Sequence, residues 1–302
     1  MAKDAIRRWL VQFGNSAPWL ARLCLWGFFP FPRIYLFVAR YVGLTSLAAK
    51  RTWRVPNGPL TGFKLTSLSP DEIGPVLANR MEFRCSNLLA QLSLEGKIVL
   101  DIGGSYGYYA LLLSRLVGES GQVFSFEPDW NSFERLTRNL AINERTNTRA
   151  VPFCLSDLSF GLVRWVSFDN ESWNNRMADS LPKTDSQKLT VVPVTTLDDF
   201  ICALGIDQDK IRLIKIDVEG AELKVMRGAV NTLRNAKPSI LCELHGGELV
   251  KQVFEFLKEL GYQWKMIEYM GETRQHIFAY PAYLADQYEA IVSPFALNNA
   301  PT

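Results

Sequence analysis

Four acids fall where apolar runs end. Asp101 closes KIVLDI (97–102), Glu127 closes VFSFE (123–127), Asp157 follows VPFCLS (151–156), and Asp217 closes LIKID (213–217). If these runs are strands of an open α/β sheet, ligands bind beyond their carboxyl ends. One acid on such a rim is common; four predict a guest that is cationic and rich in hydroxyls. The turn after Asp101 narrows the choice. It reads D-x-G-G-x-x-G, with Gly103, Gly104 and Gly107. Dinucleotide folds use a tighter G-x-G-x-x-G, which lays a pyrophosphate on the helix N-terminus. A carboxylate at the strand end suits ammonium and sulfonium groups better than a pyrophosphate. S-adenosylmethionine carries both cations and no phosphate.

The remaining acids divide that ligand between them. Glu127 lies about 20 residues beyond Gly107 and precedes Pro128, where a carboxylate accepts both ribose hydroxyls. Its other use is as a favourable charge at a helix N-terminus. Asp157 is expected to accept the adenine amino group while the Ser156 N–H meets a ring nitrogen; the competing reading is an Asx turn. In DVEG (217–220), Asp217 and Glu219 lie two apart, on one side if the strand continues. That side faces the cofactor's methionine end or the methyl acceptor; a helix-capping pair is the alternative. ILCELH (240–245) again sets two groups two apart, Glu243 and His245. A hydroxyl acceptor needs a base during attack, and His245, Glu219 and Glu243 are the candidates. Imidazole titrates near neutrality, although a lone histidine after a strand is often a plain loop residue. No metal is expected; a divalent ion held by Asp217, Glu243 and His245 stays open as the alternative.

These residues need a scaffold of alternating elements. Strands are expected at 98–102, 123–127, 150–155, 213–217, 240–244, 263–267 and 276–280. Helices are expected at 76–92, 106–116, 130–143, 197–204, 221–235 and 247–260. The alternation implies an α/β fold with a largely parallel sheet, its last two strands pairing antiparallel at an edge. The stretch 156–194 breaks the pattern. Its ends, 161–168 and 189–194, are strand-like around a polar middle, which predicts a hairpin arm with a mobile tip. Trp173, Asn174, Arg176 and Trp264 offer stacking and hydrogen bonds to a sugar. They serve equally as surface or core residues, so none is assigned.

Residues 1–54 differ from the rest. They hold nine Lys and Arg against Asp4, a charge of +8, leaving −6 on the remainder of a chain whose net charge is +2. Ile6, Trp9, Leu10 and Phe13 share a helical face, and Arg22, Arg33 and Arg40 interrupt an aromatic run at 18–44 that Pro30 and Pro32 break. No stretch reaches the ~18 uncharged apolar residues of a spanning helix, and no signal peptide is read. Short helices with Trp, Phe, Leu and Arg suit a membrane surface; capping the catalytic domain or packing a dimer is the other use. Residues 55–95 are a turn-rich connector and helix, with a short hairpin expected near 62–68, and 96–302 form the catalytic domain. The five cysteines are scattered, with no C-x-x-C pair, which argues against a disulfide framework or structural zinc and for a cytoplasmic home. No basic aromatic groove points to nucleic acid in the acidic part.

In order along the chain, DIGGSYGYYALLLSRL, VFSFEP, TTLDDF, IKIDVEGAELKVMRGA and ILCELH resemble the FkbM-type S-adenosylmethionine-dependent methyltransferases over roughly residues 82–280. The DVEGAE segment is the more specific sign. The resemblance implies a Rossmann-like, seven-stranded sheet with an antiparallel last pair. It implies O-methylation, often of a sugar hydroxyl in a glycan, glycolipid or natural product. Asp101, Gly103 and Gly107 then belong to the cofactor turn, Glu127 to ribose and Asp157 to adenine, with Asp217 and Glu219 at the acceptor end. The chain departs from the family at Gly104-Ser105-Tyr106, where Ala-Asn and an aliphatic residue are usual; Tyr106 is expected to narrow the methionine pocket. Two other functions compete. A nicotinamide-dependent oxidoreductase wants the tighter glycine pattern, and a membrane-tethered scaffold with a vestigial fold would ignore S-adenosylmethionine.

Overall fold

The computed structural model describes residues 51–168, 176–177, 187–269 and 274–297. The expectations for residues 1–50 and for the arm's tip, with Trp173 and Asn174, lie outside the described residues. The chain divides into two compact units, Met1–Phe83 and Arg84–Thr302.

In the first unit, β1 (Trp53–Arg54) pairs antiparallel with β2 (Lys64–Leu65). The hairpin is therefore wider than the expected one near 62–68. Ser69 and Glu72 then form a reciprocal capping box, and α1 (Pro70–Leu77) starts with proline at its first position. The single helix expected at 76–92 is in fact two, α1 and α2 (Phe83–Leu89). Asn79 (φ 54°) and Glu82 (φ 39°) both turn left-handed between them, which no helix tolerates.

The second unit continues with β3 (Ile98–Ile102), α3 (Tyr108–Leu116), β4 (Gln122–Phe126), α4 (Trp130–Ile142) and β5 (Thr148–Val151). Next come β6 (Cys154–Leu155), β7 (Gly161–Phe168), β8 (Arg176–Met177) and β9 (Gln187–Thr195). Then follow α5 (Leu197–Leu204), β10 (Ile211–Ile216), α6 (Glu222–Arg227), α7 (Val230–Asn235), β11 (Ser239–His245), α8 (Gly247–Glu259), β12 (Tyr262–Tyr269), β13 (Arg274–Pro281) and α9 (Ala285–Val292).

Seven strands make the main sheet in the order β12-β13-β11-β10-β3-β4-β5. All run parallel except β13, which is antiparallel to both neighbours, as the expected edge pair requires. β3 and β10 are central and, Arg212 apart, buried on both faces, so apolar residues dominate them without alternation, Asp101 and Lys215 being the buried charges. Ile98, Leu100, Ile102, Ile214, Ile216 and Ile240 share one core. The chain winds outward from β3 to β5, then returns to β10 on the other side of β3. That reversal makes β3 and β10 the switch point, where such sheets open to ligands.

Two expected elements are shorter than the sequence pattern indicates. The strand expected at 150–155 ends at Val151, because Pro152 has no N–H to continue the ladder. Cys154 and Leu155 instead pair parallel with Val194 and Thr195 in a second sheet, ordered β6-β9-β7-β8. There β7 and β9 pair antiparallel from Gly161↔Val194 to Phe168↔Gln187, which is the arm. The helix expected at 221–235 breaks into α6 and α7 around Gly228. A Cβ on Gly228 would lie 1.9 Å from the Ser156 carbonyl oxygen, so the backbones meet there. Asp198 starts the new helix by accepting from the N–H groups of Asn231 (2.8 Å) and Thr232 (2.9 Å). Among the described residues, no helix is long and apolar enough to cross a membrane.

Candidate active site

The glycine turn joins three elements. The N–H groups of Gly103 and Gly104 both donate to the Phe126 carbonyl (3.0 and 2.9 Å), and the Asp217 N–H donates to the Ile102 carbonyl (3.0 Å). Gly103 sits at φ +87°, and a Cβ there would lie 1.8 Å from the Asp217 carbonyl oxygen. Gly103 is thus required both by its dihedral and by the approach of the DVEG turn. On the other flank, a Cβ on Gly104 would strike Ser125 Oγ at 2.3 Å. Helix α3 begins at Tyr108, two residues later than expected, because Gly107 is its left-handed N-cap. Tyr106 is buried against α4: its ring lies 5.6 Å from the Arg135 guanidinium carbon and its carbonyl accepts from Asn139 Nδ2 (2.8 Å).

Beneath this turn, strand register builds a buried polar row. Ser125, Asp101 and Lys215 are direct cross-strand partners on β4, β3 and β10, so they share one face. Ser125 Oγ donates to Asp101 Oδ2 (2.7 Å). Lys215 Nζ donates to the Gly103 carbonyl (2.9 Å) and lies 3.4 Å from Asp217 Oδ2 and 3.7 Å from Asp101 Oδ1. The rim is therefore not purely acidic. A buried cation sits among its carboxylates, with its charge committed to them and to a carbonyl.

The outer acids differ in environment. Glu127 is buried, and its carboxylate accepts from the N–H groups of Ser105 and Asp129 (2.8 Å each). Burial pushes its pKa up to about 7, against the pull of those two N–H bonds and of Lys215. Pro128 is half-buried beside it. Asp157 is exposed and accepts from Ser156 Oγ (3.0 Å). The Ser156 N–H donates to the Thr195 carbonyl (3.1 Å), because the β6–β9 ladder runs one residue further. It is not turned to a ligand, which corrects the ring-nitrogen contact expected of it. Trp264 stacks on Phe254 at 4.6 Å between ring centres, a packing use.

The base candidates converge around His245. Its Nδ1 lies 2.8 Å from Glu222 Oε1, and its Nε2 lies 3.3 Å from Glu219 Oε2 and 3.4 Å from Glu243 Oε1. Burial alone would lower the imidazole pKa, but hydrogen bonds to Glu222 and Glu243 overcome it and push the value to about 10. His245 is then an imidazolium at neutral pH. Glu219 is pushed to about 7, first by burial and then by Asp217, while His245 and Arg274 pull it down. Glu243 has the opposite fate. Burial would raise it, but His245, His276 and Arg274 hold it well below the usual carboxylate range. Arg274 Nε donates to Glu243 Oε1 (2.5 Å), its Nη2 is ion-paired with the same oxygen at 2.5 Å, and His276 Nε2 lies 3.2 Å from Oε2. Antiparallel register causes this, setting Glu243 opposite His276 and His245 opposite Arg274. Asp217, Glu219 and His245 also bring one ligand atom each within 4.8 Å of one another.

A family model for the methyltransferase FkbM domain matches residues 101–264, more than half of the chain and the span that holds these residues from Asp101 to His245. The chain belongs to the FkbM methyltransferase family. Its methyl donor is S-adenosylmethionine, and the nicotinamide reading falls away. Among curated proteins it is similar to the hexuronic acid methyltransferase AglP of Haloferax volcanii, at 26% identity over 196 residues, covering 65% of this chain and 76% of that protein. It is also similar to a protein-L-isoaspartate O-methyltransferase of Methanothrix thermoacetophila, at 38% identity over 78 residues, covering 26% of this chain and 36% of that one. Among solved structures, an FkbM methyltransferase from Methylobacillus flagellatus KT aligns with a TM-score of 0.47 at 17% identity, covering 63% of this chain and 45% of that one.

The residues present in this FkbM methyltransferase fit the donor. Glu127, just past β4, is a buried carboxylate suited to a diol, and Lys215 spends its charge internally instead of offering it to phosphate. Sequence reading missed Lys215, Glu222, Arg274 and His276. One signal was available: R-x-H (274–276) faces E-x-H (243–245) at the same period of two, on strands already expected to pair.

Proposed function

We propose that this FkbM methyltransferase moves the methyl group of S-adenosylmethionine to a hydroxyl oxygen on a sugar, glycolipid or natural product. The Gly103, Gly104 and Gly107 turn, with Asp101 below it and its own Tyr106 braced against α4, receives the donor. Asp217 faces its ammonium group, Glu127 with Pro128 holds the ribose diol, and Asp157, steadied by Ser156, reaches the adenine amino group. The donor supplies an electrophilic methyl carbon on a sulfonium sulfur.

The acceptor oxygen bonds that carbon as the carbon–sulfur bond breaks, its electron pair staying on sulfur. Positioning by the protein supplies much of the rate. The acceptor's proton goes to Glu219. The observation that carries this reading is the Glu219 carboxylate, gathered with Asp217 and 3.3 Å from His245 Nε2, its pKa pushed up to about 7 by burial and by Asp217. A base tuned to ambient pH serves a hydroxyl, whereas a carboxylate acceptor needs none. His245, already protonated, and Glu243, locked to Arg274, lack the means to take the proton. The acids gathered here also disfavour an anionic acceptor. Similarity to a hexuronic acid methyltransferase supports a sugar; because a hexuronic acid itself bears a carboxylate, the choice of a hydroxyl rests on Glu219 and not on this similarity.

Residues 1–54, with their charge of +8, are assigned to an anionic membrane surface on the cytoplasmic side, which suits a lipid-linked acceptor. The experiment is transfer of labelled methyl from S-adenosylmethionine into separated lipid, glycan and protein fractions of the source cell. Label is expected in the glycan or glycolipid fraction. Label in protein alone, or none anywhere, contradicts the proposal, and the second result favours the non-catalytic scaffold.

A further inference from the structure

Glu222 is fully buried, follows the DVEG turn, and has no part in the reaction described so far. A buried carboxylate is costly unless something requires it. Its Oε1 does two things at once. It accepts from the Gly220 N–H (3.0 Å) and from His245 Nδ1 (2.8 Å). We propose that Glu222 acts through His245 as a positioning pair that aims the Glu219 carboxylate at the acceptor oxygen. The inference rests on Glu219 as the base.

Two separate strands of geometry support it. Glu219 has a left-handed backbone (φ 53°), a strained setting for a residue with a side chain, while Gly220 takes its own φ of +101° at no steric cost. The Gly220 N–H bond to Glu222 holds that backbone from below. The Glu219 side chain is drawn to His245 by charge: Oε2 lies 3.3 Å from Nε2, an ion-pair distance at which no aligned hydrogen bond has formed. Glu222 thus fixes both ends of one residue. Because Glu222 occupies Nδ1, the imidazolium has only Nε2–H left to direct at the carboxylates. Glu219 and Glu243 stand 3.3 and 3.4 Å from that nitrogen, so it is shared between the base and a carboxylate pinned by Arg274 and His276. The charged groups facing His245 are Glu222 on α6, Asp217 and Glu219 on the turn, Glu243 on its own strand, and Arg274 on β13. A neutral imidazole would lose its hold on Glu219.

Steady-state kinetics across pH test this in the full-length protein. In Glu222→Gln, which keeps shape but removes the charge, His245 should titrate closer to its ordinary range. Turnover should fall about tenfold and acquire an alkaline limb between roughly pH 7 and 9. KM for S-adenosylmethionine should stay within about twofold, since neither the glycine turn nor Glu127 is altered. The Glu222→Gln, His245→Gln double variant should be no slower than His245→Gln alone. Wild-type turnover in Glu222→Gln, a loss equal at every pH, or additive losses in the double variant would each overturn the pair. Should Glu222→Gln fail to fold, His245→Gln carries the test. Its acid limb should move upward with the loss of the cation beside Glu219, and an unmoved limb counts against the proposal. Failure of the base reading looks different: Glu219→Gln would then keep its turnover, whatever the alkaline limb does.

Discussion

With Glu219 held near pH 7, turnover should climb as pH rises through that value, because the base works only when ionised. Glu219→Gln removes it and should cost about 10²–10⁴ in kcat, with KM for the donor little changed; initial rates from pH 5.5 to 8.5 check both. Lys215 carries a different weight. It is the cation between buried Asp101 and partly exposed Asp217, so Lys215→Met removes the positive charge that offsets both. The expected loss is about 3–5 kcal/mol in urea unfolding. The carboxylates of the rim were legible because glycine turns and strand ends mark them in the sequence. Lys215, Arg274, Glu222 and His276 were not. Their roles arise from cross-strand register and from the folding back of α6, which place residues 31 or even 112 positions apart within a hydrogen bond.

Elements set the distances those residues depend on. Most strand positions follow from apolar runs, and the antiparallel edge pair follows from their closeness after α8. The broken elements were hidden for identifiable reasons. Pro152 ends β5 inside an otherwise continuous apolar stretch, and Gly228 divides α6 from α7 because the Ser156 carbonyl lies against it. Neither break changes the hydrophobic period, so periodicity alone reads through them. Asp198 is the anchor of that second joint, tying the start of α5 to the start of α7. Asp198→Ala should cost about 1–2 kcal/mol by thermal or urea unfolding, the usual range for a lost helix cap. A change below a few tenths of a kcal/mol would show that α7 does not depend on it. The glycine turn meets the DVEG turn with no spare room, since a Cβ on Gly103 would lie 1.8 Å from the Asp217 carbonyl oxygen.

Across the whole molecule, charge is divided: +8 on residues 1–54 and −6 on the rest. If the basic segment meets anionic lipid, removing it should abolish sedimentation with phosphatidylserine vesicles at low salt while leaving donor binding intact. Equal partition of the truncated and full-length proteins would assign the segment another purpose. The central claim is that a hydroxyl, activated by Glu219, becomes a methyl ether. The most direct measurement is the alkali stability of the labelled product made from a glycan or glycolipid acceptor. An ether survives mild alkali, and the account predicts that the label stays bound; label released as methanol would mean a carboxylate ester, an acceptor that needs no base, and would contradict it.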